Sequence, residues 1–545
     1  MDKIVIVGGG SAGWITAAYL NGALNGRGKV PNKSITLIES PDIPRISVGE
    51  ATVPSIHHIL DVIGINEADF MKATEASFKQ SIKYVNWLEN NGTGYHHPFS
   101  RATPGPIDFS GRNWMESLRD IPFMETVSAQ TVIAEINRAP KMLGNQKFMA
   151  PLKYAFHFDA QLFADYLRDF STARGVKHIL ANVRDLKISE QGHIENVSLD
   201  NEQVIEGDLF IDCTGFKALM IEKGLGVPFE DYSQWLLCDQ AVVAQFPYED
   251  FFPGTIRPYT TATAQLAGWI WDTPTQTRRS IGYVHSSSFI DADQARTELL
   301  AYQGGIGDDY DTRLIRFKVG QRQKAWTANC VSVGLAGGFI EPLESTGLYL
   351  CELAAVTLAE HFPSSKDDLA DMAFRFNRII SNRYFEILDF INMHYCLTRR
   401  NDTEFWRTVQ RPEHITGRLQ AKLEYWHKKS PTMSDFDDQA FKGFTFNRDL
   451  DDPLIDSRPP VDTGSLWNHA SYEAILFGMD FRGPEFAQKS GANRKRSQVV
   501  KFVLDAVRAA PKQLPPHHIW LHQALGMPTW ETKARPAGWL AHPYT

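Results

Sequence analysis

Cysteine is scarce in this chain and follows no pattern. Five occur in 545 residues, at Cys213, Cys238, Cys330, Cys351 and Cys396, with no Cys-x-x-Cys step among them. That spacing excludes a disulfide framework, offers no thiolate metal site, and predicts a reducing compartment, the cytoplasm. No run of eighteen apolar residues occurs, and no basic segment with an apolar stretch behind it precedes Lys3. Membrane spanning and secretion are therefore not expected. Positive charge is not in excess either: the net charge of −8 argues against nucleic acid as the main partner. His57, His58, His96 and His97 lie near one another but lack i,i+4 spacing and carboxylate support, so no metal is expected.

What is present is an ordinary globular composition, 43% hydrophobic and 22% charged, with a rich 12% of aromatics that suits a bulky core or planar ligands. The first apolar run, Lys3-Ile4-Val5-Ile6-Val7, fits a strand buried on both faces. It enters Gly8-Gly9-Gly10-Ser11-Ala12-Gly13 and then an Ala-rich helix, a GxGxxG box in its proper setting. Gly8 permits the tight turn, Gly10 lets a pyrophosphate reach the backbone, Gly13 lets helix and strand approach, and Ser11 and Ala12 carry amides of the helix start. A second run, Ser34-Ile35-Thr36-Leu37-Ile38, ends in Glu39, placed to accept hydrogen bonds from a ribose. A later strand-then-glycine segment ending Asp212-Cys213-Thr214-Gly215 favours FAD over NAD(P), with Asp212 facing the cofactor or else stabilising its turn.

Residues 329–349 read as a ligand-facing turn. Val331, Val333 and Leu335 alternate like a strand, and Gly337-Gly338 let the backbone pass close to something flat. Glu341 and Glu344 flank Pro342-Leu343, and Ser345-Thr346-Gly347 opens a helix whose amides attract anions. Trp269 and Trp271 alternate on a strand and point to one face. Lys79, among Phe78, Ile82, Tyr84 and Trp87, has an apolar setting if it faces inward, and Glu344 is its natural partner.

These landmarks resemble the flavin-dependent tryptophan halogenases. The likeness runs through Ile46-Ser47-Val48-Gly49-Glu50-Ala51-Thr52-Val53-Pro54-Ser55, Phe78-Lys79-Gln80 and Gly268-Trp269-Ile270-Trp271-Asp272-Thr273-Pro274, which is similar to the WxWxIP signature with Thr273 in place of Ile. Phe339, Pro342, Ser345 and Gly347 match FxxPxxSxG, and His97-Pro98-Phe99 and Trp467-Asn468 match elements that hold an indole. The resemblance implies hypohalous acid made from chloride or bromide and O2, with FADH2 arriving by diffusion from a separate flavin reductase. It makes Lys79, Glu344 and Ser345 catalytic, and Thr346 and Gly347 the halide site. Val48, Gly49 and Ala51 fall in the strap over the flavin, which Leu335 and Gly338 also face. Trp269 and Trp271 become the wall between flavin and substrate.

The family's Tyr-Tyr pair and downstream Glu are not found; Phe441, Phe444 and Phe446 stand among Asp residues instead. A bare indole, a larger indole-containing molecule and a peptide tryptophan stay open beside free tryptophan. From Leu369 onward apolar residues recur at helical steps, and residues 430–464 read as a lid-like loop. Arg494-Lys495-Arg496 reads as a solvated helix end. The expected fold is α/β: an FAD-binding Rossmann-type, flavoprotein monooxygenase-like core with a mixed sheet over residues 1–364, and a helical substrate-side part over 365–545. A homodimer is compatible with the sequence. A flavin hydroxylase or a non-catalytic FAD-binding redox protein shares the nucleotide box.

Overall fold

A computed structural model describes residues 1–26, 32–45, 48–102, 108–248, 256–302, 310–436, 466–481 and 498–527. Residues 437–464 of the expected lid, with Phe441, Phe444 and Phe446, lie outside these, as do Ile46, Ser47 and Arg494-Lys495-Arg496.

The chain divides into two compact units, each assembled from three separate stretches. The first comprises Met1–Ala76, Phe158–Tyr232 and Phe317–Tyr384, and the second Ser77–His157, Ser233–Arg316 and Phe385–Thr545. This is a different division from one at 364/365. Its cause is strand order in the first unit, where the early strand Lys3–Val7 lies beside Leu209–Asp212, which in turn lies beside Cys330–Ser332.

The first unit holds a six-stranded sheet ordered Trp326–Thr327, Cys330–Ser332, Leu209–Asp212, Lys3–Val7, Ser34–Glu39, Lys177–Leu180. It is parallel except at the Trp326–Thr327 edge. Both faces of a parallel sheet are covered, so its strands must be apolar on both sides. Here Val5, Val7 and Phe210 join a core cluster with Ile194, Val197 and Leu199 from the small 183–206 sheet, while Ile4 and Ile6 are buried by the alternation of strand side chains. The helices Ser11–Asn25, Ala160–Thr172 and Thr346–Glu360 complete this unit's layers; Ala160–Thr172 is capped by Asp159, whose Oδ1 accepts from Leu162 N at 2.9 Å.

The second unit is built on a seven-stranded sheet ordered Arg313–Arg316, Gln240–Pro247, Arg278–His285, Gly268–Pro274, Thr260–Ala264, Ser81–Val85, Gly94–Pro98. Only Thr260–Ala264 and Ser81–Val85 run parallel. Beside it Ser77–Lys79 pairs antiparallel with residues 155–157. Helices Gly417–Trp426, His469–Gly478, Gln498–Gln513 and His517–Leu525 supply the helical C-terminal part that the sequence pattern predicts.

Candidate functional site

The nucleotide box adopts the form that its glycines dictate. Gly8 sits at φ +117°, and a Cβ there would come within 2.1 Å of the Cys213 carbonyl oxygen; one on Gly13 would lie 1.9 Å from the Gly8 oxygen. Only glycine fits at either place. A Cβ on Gly10 would meet nothing within 4 Å, so the backbone there faces open space. Gly10 caps the Ser11–Asn25 helix without a side-chain bond, leaving the helix start available to an anion. Ser11 Oγ reaches the Ala160 carbonyl at 3.5 Å.

Glu39 ends its strand against this loop, since a Cβ on Gly9 would fall 2.1 Å from its carboxyl carbon. Its Oε1 accepts from Arg45 Nε at 2.9 Å and its Oε2 contacts His178 Nε2 at 2.9 Å. Arg45 also reaches Asp165 at 2.7 Å, and neither Arg45 nor His178 stands out from sequence. Asp212 is committed to backbone: Oδ1 accepts from Thr214 N and Oγ1 at 3.0 and 2.6 Å, and Oδ2 from Met220 N and Ile221 N at 2.7 and 2.9 Å. Of its two sequence readings, the turn is the one that these bonds build. Val48 is joined to the same unit by its carbonyl, which accepts from Ala160 N at 3.1 Å, and Gly49 and Ala51 form the short strand Gly49–Ala51.

The 329–349 turn departs from its expected form in one respect. The strand stops at Ser332, because Gly334 turns to φ +67° and Leu335 falls in a 3-10 turn, Gly334–Ala336. Gly338, at φ +155°, passes close to a strand backbone: its Cβ would lie 2.5 Å from the Gly320 oxygen. Glu341, Glu344, Ser345 and Thr346 are all buried. Ser345 adopts the left-handed conformation, φ 59°, and caps the Thr346–Glu360 helix with no side-chain bond to it. Thr346 Oγ1 is buried with no hydrogen-bond partner among the described residues, and a Cβ on Gly347 would meet nothing within 4 Å. An uncapped helix start, an unsatisfied hydroxyl and an open glycine suit a small anion.

In the second unit Lys79 is fully buried, its Nζ 5.3 Å from the centre of the Phe99 ring. The pairing of Ser77 with His157 puts the imidazole on the Lys79 face of this strand pair. Ser77 Oγ donates its one proton to the Pro274 carbonyl at 2.6 Å, so its 3.3 Å contact with His157 Nδ1 makes that nitrogen the donor. Nε2 is then free to accept from Thr260 Oγ1 at 2.8 Å. Burial, and after it the charges of Lys79 and His517, hold His157 well below its ordinary value and thus neutral. No sequence signal marked His157, since only strand register brings it to Lys79.

Pro98 and His97 end the Gly94–Pro98 strand, and His97 lies 5.9 Å from the Phe390 ring. Phe390 stacks on Trp467 at 4.0 Å and 13°, and the Trp467 amide donates to Glu386 at 3.1 Å. Trp269 and Trp271 share one face of Gly268–Pro274, their rings 6.4 Å apart, and both indole nitrogens are buried without a partner among the described residues. Gly282, opposite Trp271, has no room for a Cβ, which would lie 2.1 Å from the indole.

Comparison with known proteins defines the class and then the family. A solved tryptophan halogenase from Shewanella frigidimarina shares 32% identity at a TM-score of 0.86, covering 96% of this chain and 98% of its own. The flavin-dependent halogenase BrvH from Brevundimonas sp. BAL3 aligns at 30% identity and TM-score 0.79, covering 96% and 99%. Tryptophan 7-halogenase RebH of Lentzea aerocolonigenes is 34% identical over 549 residues, 96% of this chain and 99% of RebH. The protein is a flavin-dependent halogenase, an oxidoreductase on an α/β fold. With the family model described as tryptophan halogenase matching residues 3–493, the chain belongs to the tryptophan halogenase family.

Proposed function

We propose that the protein halogenates an indole or tryptophan-like ring with hypohalous acid, using FADH2 from a separate reductase and a chloride or bromide ion held at Thr346 and Gly347. The residues present fit a flavin nucleotide: Gly10 leaves its backbone open where a pyrophosphate would lie, and the uncapped Ser11–Asn25 helix adds its dipole. When bound, reduced flavin with O2 supplies the oxidising equivalents for halide. Gly8, Gly10, Ser11, Ala12, Gly13 and Glu39 hold the nucleotide, with Val48, Gly49, Ala51, Leu335 and Gly338 around its other parts and Asp212 shaping the turn beside it. Trp269 and Trp271 wall the substrate from the oxidising side.

The observation that carries this reading is Lys79, a fully buried ammonium against the Phe99 ring. Desolvated there, it binds the oxygen of hypohalous acid and directs the electrophilic halogen to the ring. Glu344, with Ser345 beside it, takes up the proton that the ring loses. His97, Pro98, Phe99 and Trp467 stack the indole. All five cysteines are free, which supports a cytoplasmic setting.

The test supplies FAD, a flavin reductase, NADH, O2 and either halide with a panel of indoles, tryptophan and tryptophan-containing peptides. Mass spectrometry should show halogenated product in its two-isotope pattern. Lys79→Met should lose product by about 100-fold or more while flavin affinity stays unchanged. Full product from the variant overturns the role of Lys79.

A further inference from the structure

The sheet of the second unit has a second polar face. Thr261 pairs with Asp272 and Lys83, and Lys83 pairs with His96, so these four side chains share the face opposite Trp269 and Trp271. There Tyr248, Arg257, Tyr259, Thr261, Asp272 and Arg279 line a cavity of about 10 Å³.

Its charge is unbalanced. Both Asp272 oxygens are engaged by Arg279, Oδ1 by Nε at 3.0 Å and Oδ2 by a terminal nitrogen, which leaves that pair neutral. Arg257 is half-buried, has no ion-pair partner among the described residues, and has the phenols of Tyr248, Tyr259 and Tyr302 as electrostatic neighbours. Tyr259 turns its hydroxyl to Glu135, but that carboxylate already meets Lys83 and His96, each at 2.6 Å. Thr261 Oγ1 is buried with no hydrogen-bond partner among the described residues. A guanidinium without a counter-charge and an unsatisfied hydroxyl both favour a bound anion. A space of this size takes one water or a single-atom ion and is too small for phosphate or sulfate.

We propose that this cavity is a second halide site, one chloride or bromide ion held by Arg257 and Thr261, distinct from the halide position at Thr346 and Gly347. The ion balances Arg257 and joins it to Thr261 on the strand Thr260–Ala264, so its effect is on stability.

Bromide anomalous diffraction from crystals of the full chain tests this directly, beside thermal melts in sodium bromide against sodium gluconate at equal ionic strength. The expected result is an anomalous peak in the cavity and a halide-dependent rise in Tm of about 2 °C once bromide is about a hundredfold above its dissociation constant. Arg257→Gln and the isosteric Thr261→Val should each abolish or weaken the cavity peak and the rise. A bromide peak near Thr346 should persist in both variants. An empty cavity at saturating bromide overturns the second site, as does a peak of unchanged height in both variants, which marks an adventitious ion only. A missing peak at Thr346 bears instead on the halide position proposed above.

Discussion

At the scale of the residue, the chemistry rests on side chains whose surroundings are set by their neighbours' size. Trp271 lies flat because residue 282 has no side chain. Gly282→Ala puts a Cβ 2.1 Å from a rigid indole, and overpacking of this kind costs about 1–3 kcal/mol. The variant should melt lower and lose halogenated product while flavin binding is kept; an unchanged Tm with full product would remove Gly282 from the account. Lys79 and the two tryptophans were legible in the sequence because a lysine among aromatics and an alternating Trp pair are visible in one dimension. Gly282 and His157 were not, since each matters through a strand register that joins distant stretches.

Elements show the same division between what is local and what is not. The Lys3–Val7 strand, the glycine box and the Thr346–Glu360 helix follow from periodicity and start signals read in the chain itself. The strand through Leu335 does not exist, because apolar alternation there is overridden by the left-handed turn at Gly334. At the start of the 346–360 helix, Thr346 Oγ1 is buried without a partner among the described residues, a liability for stability unless an ion meets it. Thr346→Val replaces that hydroxyl by a methyl of the same shape. It should leave Tm unchanged or higher, while the halide concentration for half-maximal turnover rises about 10-fold or more, the worth of a hydrogen bond to a charged group. Equal halide dependence in variant and wild type would argue that the hydroxyl does not touch the ion.

Across the whole molecule the two interleaved units were the least legible feature, because the order of strands in a parallel sheet is not the order of the chain. Burial on this scale also displaces many titrations, and their signs oppose. Burial lowers His517 to about 4, and His157 also falls, so the unfolded chain binds more protons below the ordinary histidine value of 6.5 and stability declines as pH falls through that range. Burial would raise Glu135, but His96 and Lys83 outweigh it and hold the carboxyl at about 2; its contribution is present above 4.5 and is lost between there and 2. Burial raises Glu352 to about 8 against the hydrogen bond from Ser55, and raises Glu473 to about 7 against Arg101. For these two acids the contribution is complete below 4.5 and disappears as pH rises through 7 and 8. Between 4.5 and 6.5 the two histidines and the two acids therefore nearly cancel, and stability should decline from about pH 6.5 toward pH 8. Glu352→Gln keeps a polar group of the same size and removes one ionisation, so melts across a pH series should show a flatter limb from 6.5 to 8. A limb of unchanged slope would show that Glu352 is already ionised within the fold.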